Sequence, residues 1–221
     1  MIAVFGYAFP HQKTQDFLFE LKVLGLEEIV LIAAPWKRLQ FSDNAEYFDK
    51  NLDSPQALHP KSICKALSIR YLEIEHDDFF AIRDLVKSHD IKLGIVSGAR
   101  IIKATIINLF ADGIVNFHPG KLPETSGLDA FFYTIKKGAS PGVTTHFINE
   151  LVDAGSLIEF TECNVTLKHT PEHILNNLYT LQIKALRSFV RLMLSNNLTT
   201  SPIARPRKNR PLKVSEKFDV M

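Results

Sequence analysis

Lys92-Leu93-Gly94-Ile95-Val96-Ser97 and Gly113-Ile114-Val115-Asn116-Phe117 are two short apolar runs, and the second continues into His118-Pro119-Gly120-Lys121-Leu122-Pro123. Both stay apolar along their length instead of alternating, as strands do when each face of their sheet is covered. The same kind of run occurs earlier, at 2–7 and at 28–34 (Glu-Ile-Val-Leu-Ile-Ala-Ala). Between those two, residues 15–24 place Phe17, Leu18, Leu21 and Leu24 at helical spacing. Ahead of Lys92, residues 77–88 predict a helix with Phe79, Phe80, Ile82, Leu85 and Val86 inward and Asp77 or Asp78 as its N-cap. Strands separated by helices imply an α/β fold: a Rossmann-like, mostly parallel twisted sheet with helices on both faces.

The later sequence changes character. Residues 143–149 and 157–165 read as strands with no helix between them, which predicts one antiparallel pair. Thr170-Pro171-Glu172-His173 supplies a cap, a proline at the first helical position and an acid, opening an amphipathic helix to about Leu194. Residues 40–62 are polar and compatible with a short helix followed by a loop. From Thr199 the chain is basic and proline-rich (Pro202, Arg205, Pro206, Arg207, Lys208, Arg210, Pro211, Lys213). The expected organisation is one domain over 1–198 and a short, solvated C-terminal extension over 199–221, with a phosphate or dimer contact as the alternative for the extension.

Composition narrows the function classes. The 221 residues are 46% hydrophobic and 23% charged, with a net charge of +2, so no overall field points to a nucleic-acid partner. No apolar run reaches the roughly 18–20 residues that cross a bilayer, so no membrane association is expected. The start, Met1-Ile2-Ala3-Val4-Phe5-Gly6, reads as a core strand rather than a signal peptide. The two cysteines, Cys64 and Cys163, form neither a zinc motif nor a disulfide framework. A cytoplasmic location follows as the expectation.

Chemistry concentrates after the run ending at Phe117. Asn116 and His118 are two apart at a strand end and can leave on one side, where parallel sheets bind ligands. Pro119 and Gly120 end the strand, and Gly127 precedes a helical stretch. A second polar pair is His146, within 143–149, and Asp153, on a loop closed by Gly155. An amide can stabilise a developing oxyanion, an imidazole can move a proton near neutral pH, and a carboxylate can assist it. No serine or cysteine nucleophile stands beside them, which favours direct attack by a substrate amine in an acyl transfer. The plainer alternatives are a structural histidine, an Asn116 that bridges loops and an Asp153 that caps a turn. A metal held by His118, His146 and Asp153 matches no local ligand motif, and none is expected.

These residues resemble the folate-dependent formyltransferases. The matching blocks are Val96-Ser97-Gly98-Ala99-Arg100-Ile101-Ile102, the Asn116–His118–Pro119 block with Gly127, Gly142-Val143-Thr144-Thr145-His146-Phe147, and Asp153-Ala154-Gly155-Ser156-Leu157-Ile158. The resemblance implies 10-formyltetrahydrofolate as co-substrate. It implies that Asn116 holds the formyl oxygen, that His118 is general acid or electrostatic stabiliser, and that Asp153 tunes His118 and helps move the amine proton. It also implies that Arg100, Ile101 and Ile102 line the pterin pocket, that Leu151 and Val152 belong to the loop over the folate, and that His146 supports the site.

Departures from the family pattern bear on the acceptor. Glycinamide ribonucleotide transformylases carry a glycine-rich phosphate loop after the first strand; here it reads Gly6-Tyr7-Ala8-Phe9-Pro10-His11-Gln12-Lys13. The residues after Thr199 are too few for the RNA-binding domain of methionyl-tRNA formyltransferases. The resemblance is therefore taken toward the short sugar N-formyltransferases, which formylate the amine of a nucleotide-linked amino deoxysugar for surface polysaccharides. Tyr7, Phe9 and His11 are then expected at the acceptor, and Lys121 either at a phosphate or on solvated surface. A purine-pathway transformylase with a divergent loop and a non-catalytic folate- or nucleotide-binding relative stand as alternatives. The long final helix and basic tail permit a homodimer.

Overall fold

Every residue from Ile29 to Ala34 is buried, as expected of an inner strand of a covered parallel sheet. The computed structural model describes residues 1–37, 57–164, 170–205 and 208–218. They fall into two units, the first ending at Asn116 and the second beginning at Phe117.

In the first unit the elements are β1 (Ile2–Tyr7), α1 (Gln12–Val23), β2 (Ile29–Ala34), α2 (Pro60–Ala66), β3 (Arg70–Glu73), α3 (Phe79–Ser88), β4 (Leu93–Val96), α4 (Ala104–Ile107) and β5 (Ile114–His118), whose last residues pass into the second unit. β1 is flanked by β2 and β4, β3 lies outside β2, and β5 pairs with β4 through Ile114 and Val115; all these pairings are parallel. α1 buries Phe17, Leu18 and Leu21, and the His11 side chain accepts from the Thr14 amide at its start. Asp78 caps α3, which buries Ile82, Leu85 and Val86. Phe80, expected inward, is 67% exposed, and the Arg83 guanidinium sits 5.2 Å over its ring. β3 was not expected from the sequence because Arg70-Tyr71-Leu72-Glu73 is short, half polar and half exposed. The expectation over 40–62 falls mostly outside the described residues; α2 occupies its end.

The second unit holds α5 (Ala130–Lys136), β6 (Gly142–Phe147), β7 (Ser156–Glu162), α6 (Pro171–Leu194), β8 (Ser201–Pro202) and α7 (Val214–Phe218). β6 and β7 form the expected antiparallel pair, with a bulge that leaves Ile158 unpaired opposite the Thr145–His146 step. α6 starts at the Thr170 cap and seats Phe189, fully buried, edge-on to Phe117 at 6.2 Å and Phe147 at 6.3 Å.

The solvated extension does not hold as read. β8 adds a second antiparallel pairing on β7, Leu212 is 1% exposed, and Lys217 makes a 2.9 Å ion pair with Asp129. The basic, proline-rich composition hides this because the segment docks through scattered side chains (Asn209, Leu212, Lys217) and its backbone, with no periodic apolar face. The fold is α/β with mostly parallel strands and antiparallel pairs, as the sequence implies.

Candidate active site

β5 ends the parallel run with Asn116 and His118, which share a strand face by their spacing. His118 is buried. Its Nε2 donates to the Thr125 carbonyl at 3.1 Å, and its Nδ1 lies 3.4 Å from Asp153 Oδ1. The carboxylate's other oxygen, Oδ2, accepts from the Gly127 amide. The aspartate that spacing alone could not bring to His118 is therefore beside it.

Several local features hold Asp153 there. It has φ 53°, a left-handed conformation that aspartate tolerates better than most residues. Gly155 closes the turn with φ +105°, and a Cβ on it would lie 2.1 Å from the Phe147 carbonyl oxygen, so the turn can cross β6 this closely only with glycine. Ser126 Oγ donates to Val152 O at 3.4 Å, and His146 Nδ1 donates to Ala154 O at 3.0 Å. His146 is fully buried, and burial first, then the neighbouring His118, pushes its pKa down to about 4. It is a neutral hydrogen-bond donor fastening the Asp153 turn.

The chemical capacity follows from this geometry. Each imidazole nitrogen of His118 faces an oxygen acceptor. A ring with one proton serves Thr125 O through Nε2 and turns the Nδ1 lone pair toward Asp153. A second proton, at Nδ1, is shared with the carboxylate. The pair can thus take up and return one proton without moving either side chain. Among the described residues, no group of three or more His, Cys, Asp or Glu is placed to hold a metal ion.

The other residues singled out lie as follows. Arg100 is ion-paired to Glu75 at 2.6 Å and donates to Pro35 O at 2.6 Å; Ile101 is 66% exposed and Ile102 buried. Leu151 is partly exposed, its amide donating to Asn149 Oδ1, and Val152 offers its carbonyl to Ser126. Tyr7 stacks on Phe9, with centroids 4.7 Å apart and 15° between planes, and meets His11 edge-on at 5.1 Å. His11 itself is buried and committed to Thr14, whose hydroxyl meets Ser97 Oγ at 3.0 Å, which in turn donates to Phe5 O. Lys121 is exposed, with Nζ 5.6 Å from the Phe160 ring centroid. Thr125 and its carbonyl carried no signal in the sequence; Gly127 did, as the glycine before a helical stretch.

With this geometry in place, the comparison with known proteins is specific: the formyl transferase family profile matches residues 40–190. The chain belongs to the formyl transferase family. Among relatives of this formyl transferase, the phosphoribosylglycinamide formyltransferase of Haemophilus influenzae is 36% identical over 87 residues, 38% of this chain and 40% of that protein. The one from Bacillus subtilis is 28% identical over 119 residues, 53% of this chain and 61% of that protein. The match thus spans less than two thirds of the length of either relative. The N-formyltransferase of Helicobacter canadensis, solved in complex with folinic acid and dTDP-3-aminofucose, shares the fold at TM-score 0.68 and 14% identity, over 97% of this chain and 71% of that one.

Proposed function

We propose that this formyl transferase moves the formyl group of 10-formyltetrahydrofolate to the amine of a nucleotide-linked amino deoxysugar in the cytoplasm. The observation that carries formyl transfer is the His118–Asp153 pair, 3.4 Å apart, two residues beyond Asn116 on β5 in a member of this family. In the proposed reaction the acceptor nitrogen attacks the formyl carbon directly, and a C–N bond forms. Asn116 donates to the oxyanion of the resulting tetrahedral centre, a task for which fixed amide donors are suited. Asp153 and His118 Nδ1 take the proton that the attacking amine sheds. The same pair returns it to the departing folate nitrogen as the old C–N bond breaks, so the site ends as it began. Arg100 to Ile102, with Leu151 and Val152, are assigned to the folate.

Two observations support a sugar nucleotide over glycinamide ribonucleotide. The start of α1 is occupied by its own cap, since the Thr14 amide is taken by His11. A phosphate would need such amides free. The Tyr7–Phe9 stack, at the end of β1, offers a flat aromatic surface of the kind on which a base or sugar packs. Lys121, at the loop after β5, is assigned to a phosphate. The curated relatives favour the second reading, a purine-pathway transformylase, since those named above are phosphoribosylglycinamide formyltransferases.

The deciding experiment measures tetrahydrofolate release from 10-formyltetrahydrofolate with a panel of 3-amino- and 4-amino-deoxysugar nucleotides and with glycinamide ribonucleotide. Turnover with at least one sugar amine is expected. Turnover with glycinamide ribonucleotide and with none of the sugars overturns the proposal in favour of the second reading.

A further inference from the structure

The segment that docks on the second unit meets the loop after β5 at an informative place. Asn209 grips that loop from outside: its amide and its Nδ2 both donate to Ser126 O, at 3.0 and 2.8 Å, and Nδ2 also reaches Glu124 O at 3.3 Å. Lys137 Nζ completes the grip, donating to Asn209 Oδ1 at 2.9 Å and to Glu124 O at 2.7 Å. The neighbours of those carbonyls face the other way. Thr125 O accepts from His118 Nε2, and Gly127 N–H donates to Asp153. Along 124–127, then, the groups alternate: Glu124 and Ser126 go to Asn209, Thr125 and Gly127 to the histidine and the carboxylate.

The grip is itself anchored. The Leu212 amide donates to Asp129 Oδ2 at 2.9 Å, and Lys217 Nζ pairs with Asp129 Oδ1 at 2.9 Å, both partners' side chains being under 10% exposed. Tyr133 Oη donates to Arg210 O at 2.8 Å. The contact with the loop leaves no slack. Gly127 has φ +102°, and a Cβ there would lie 2.9 Å from Asn209 O.

We propose that Asn209 is a positioning residue for the candidate active site: it fixes residues 124–127 so that Thr125 O and Gly127 N–H hold His118 and Asp153 at their 3.4 Å separation. Asn209 touches neither residue and acts through the loop. The inference rests on the formyl-transfer reading for its kinetic arm alone, because the geometry of His118 can be read without turnover.

The test compares N209A and N209D with wild type in the full chain. N209D keeps the side chain's size and its acceptor for Lys137 but removes both Nδ2 donors from Ser126 and Glu124. R205A, an exposed tail cation outside the grip, serves as control. The expected result is a fall in kcat of about 10- to 100-fold, the scale of a small misplacement of reacting groups, with KM for the folate changed by less than about 2-fold. R205A should match wild type. In parallel, imidazole nitrogen NMR should show the His118 ring resonances shifted in N209D and those of His76, in the first unit, unmoved. Unchanged His118 resonances in folded N209D, or shifts of equal size at His118 and His76, overturn the inference. If wild type turns over no substrate, the proposed function fails, and the NMR arm still decides the role of Asn209.

Discussion

Replacing Asp153 by asparagine isolates what its charge does, because the change keeps the shape of the side chain. The Gly127 amide must still be accepted, so the new amide turns its oxygen to Gly127 and its NH2 toward His118 Nδ1. The ring then accepts at Nδ1 and keeps its single proton on Nε2 for Thr125 O. A second ring proton would now face a donor. At 3.4 Å, with side chains 12% and 6% exposed, the lost attraction between carboxylate and imidazolium is about 5 kcal/mol at an effective dielectric of about 20. Solvent access reduces what the reaction realises. A fall in kcat of about 100- to 1000-fold, or roughly 3–4 kcal/mol of barrier, is expected, in the range for loss of a general acid–base partner. The assay is tetrahydrofolate release with whichever amine the wild type formylates, alongside a thermal melt to show the variant folded. A folded D153N within about threefold of wild type would refute the argument that the proton passes through this pair.

Three further outcomes follow from the packing. Burial pushes the His76 pKa down to about 4, as it does that of His146, from an ordinary 6.5, so both are neutral in the folded chain and protonate more readily when it unfolds. Their contribution is intact above pH 6.5 and is lost as pH falls toward 4, up to about 3 kcal/mol per histidine; urea midpoints at pH 7 and 5 should show the loss, and H76Q should remove about half of it. Gly155→Ala, which sets a methyl 2.1 Å from Phe147 O at a positive φ, should cost more than about 3 kcal/mol, and a melting temperature within a few degrees of wild type would contradict the close crossing. Lys217→Met leaves the Asp129 carboxylate buried with the Leu212 amide as its remaining partner among the described residues, and should cost about 3–5 kcal/mol by denaturant titration; an undisturbed midpoint would show that the tail docks without that pair.

Some of this was legible in the residues because the signal was local. Asn116 and His118 sit two apart on a strand that is apolar throughout, so period-two geometry alone puts them on one face. Thr170 and Pro171 mark the start of α6 to the residue. Asp153 was another matter. It reaches His118 because a bulge opposite His146 and a glycine crossing at Phe147 redirect the chain, and both depend on pairing between segments that a linear pattern does not reveal. His11, expected at the acceptor, also completes a hydrogen-bonded series through Thr14 and Ser97 to Phe5 O, between β1 and the end of β4, which a linear pattern does not reveal.

That series has a consequence for how the site can select its substrate. In the first unit the strand order runs β3-β2-β1-β4-β5, and it reverses between β1 and β4, the place where such sheets gather ligands. His11, Thr14 and Ser97 are all buried there and bonded to one another, and the Thr14 amide at the start of α1 is already answered. A phosphate arriving at that point would have to displace hydrogen bonds already made there, each worth about 1 kcal/mol. Under the proposed function, recognition by this unit therefore falls to what lies just beyond the strand end, the stacked rings of Tyr7 and Phe9, whose faces reward a planar or apolar group more than an anion.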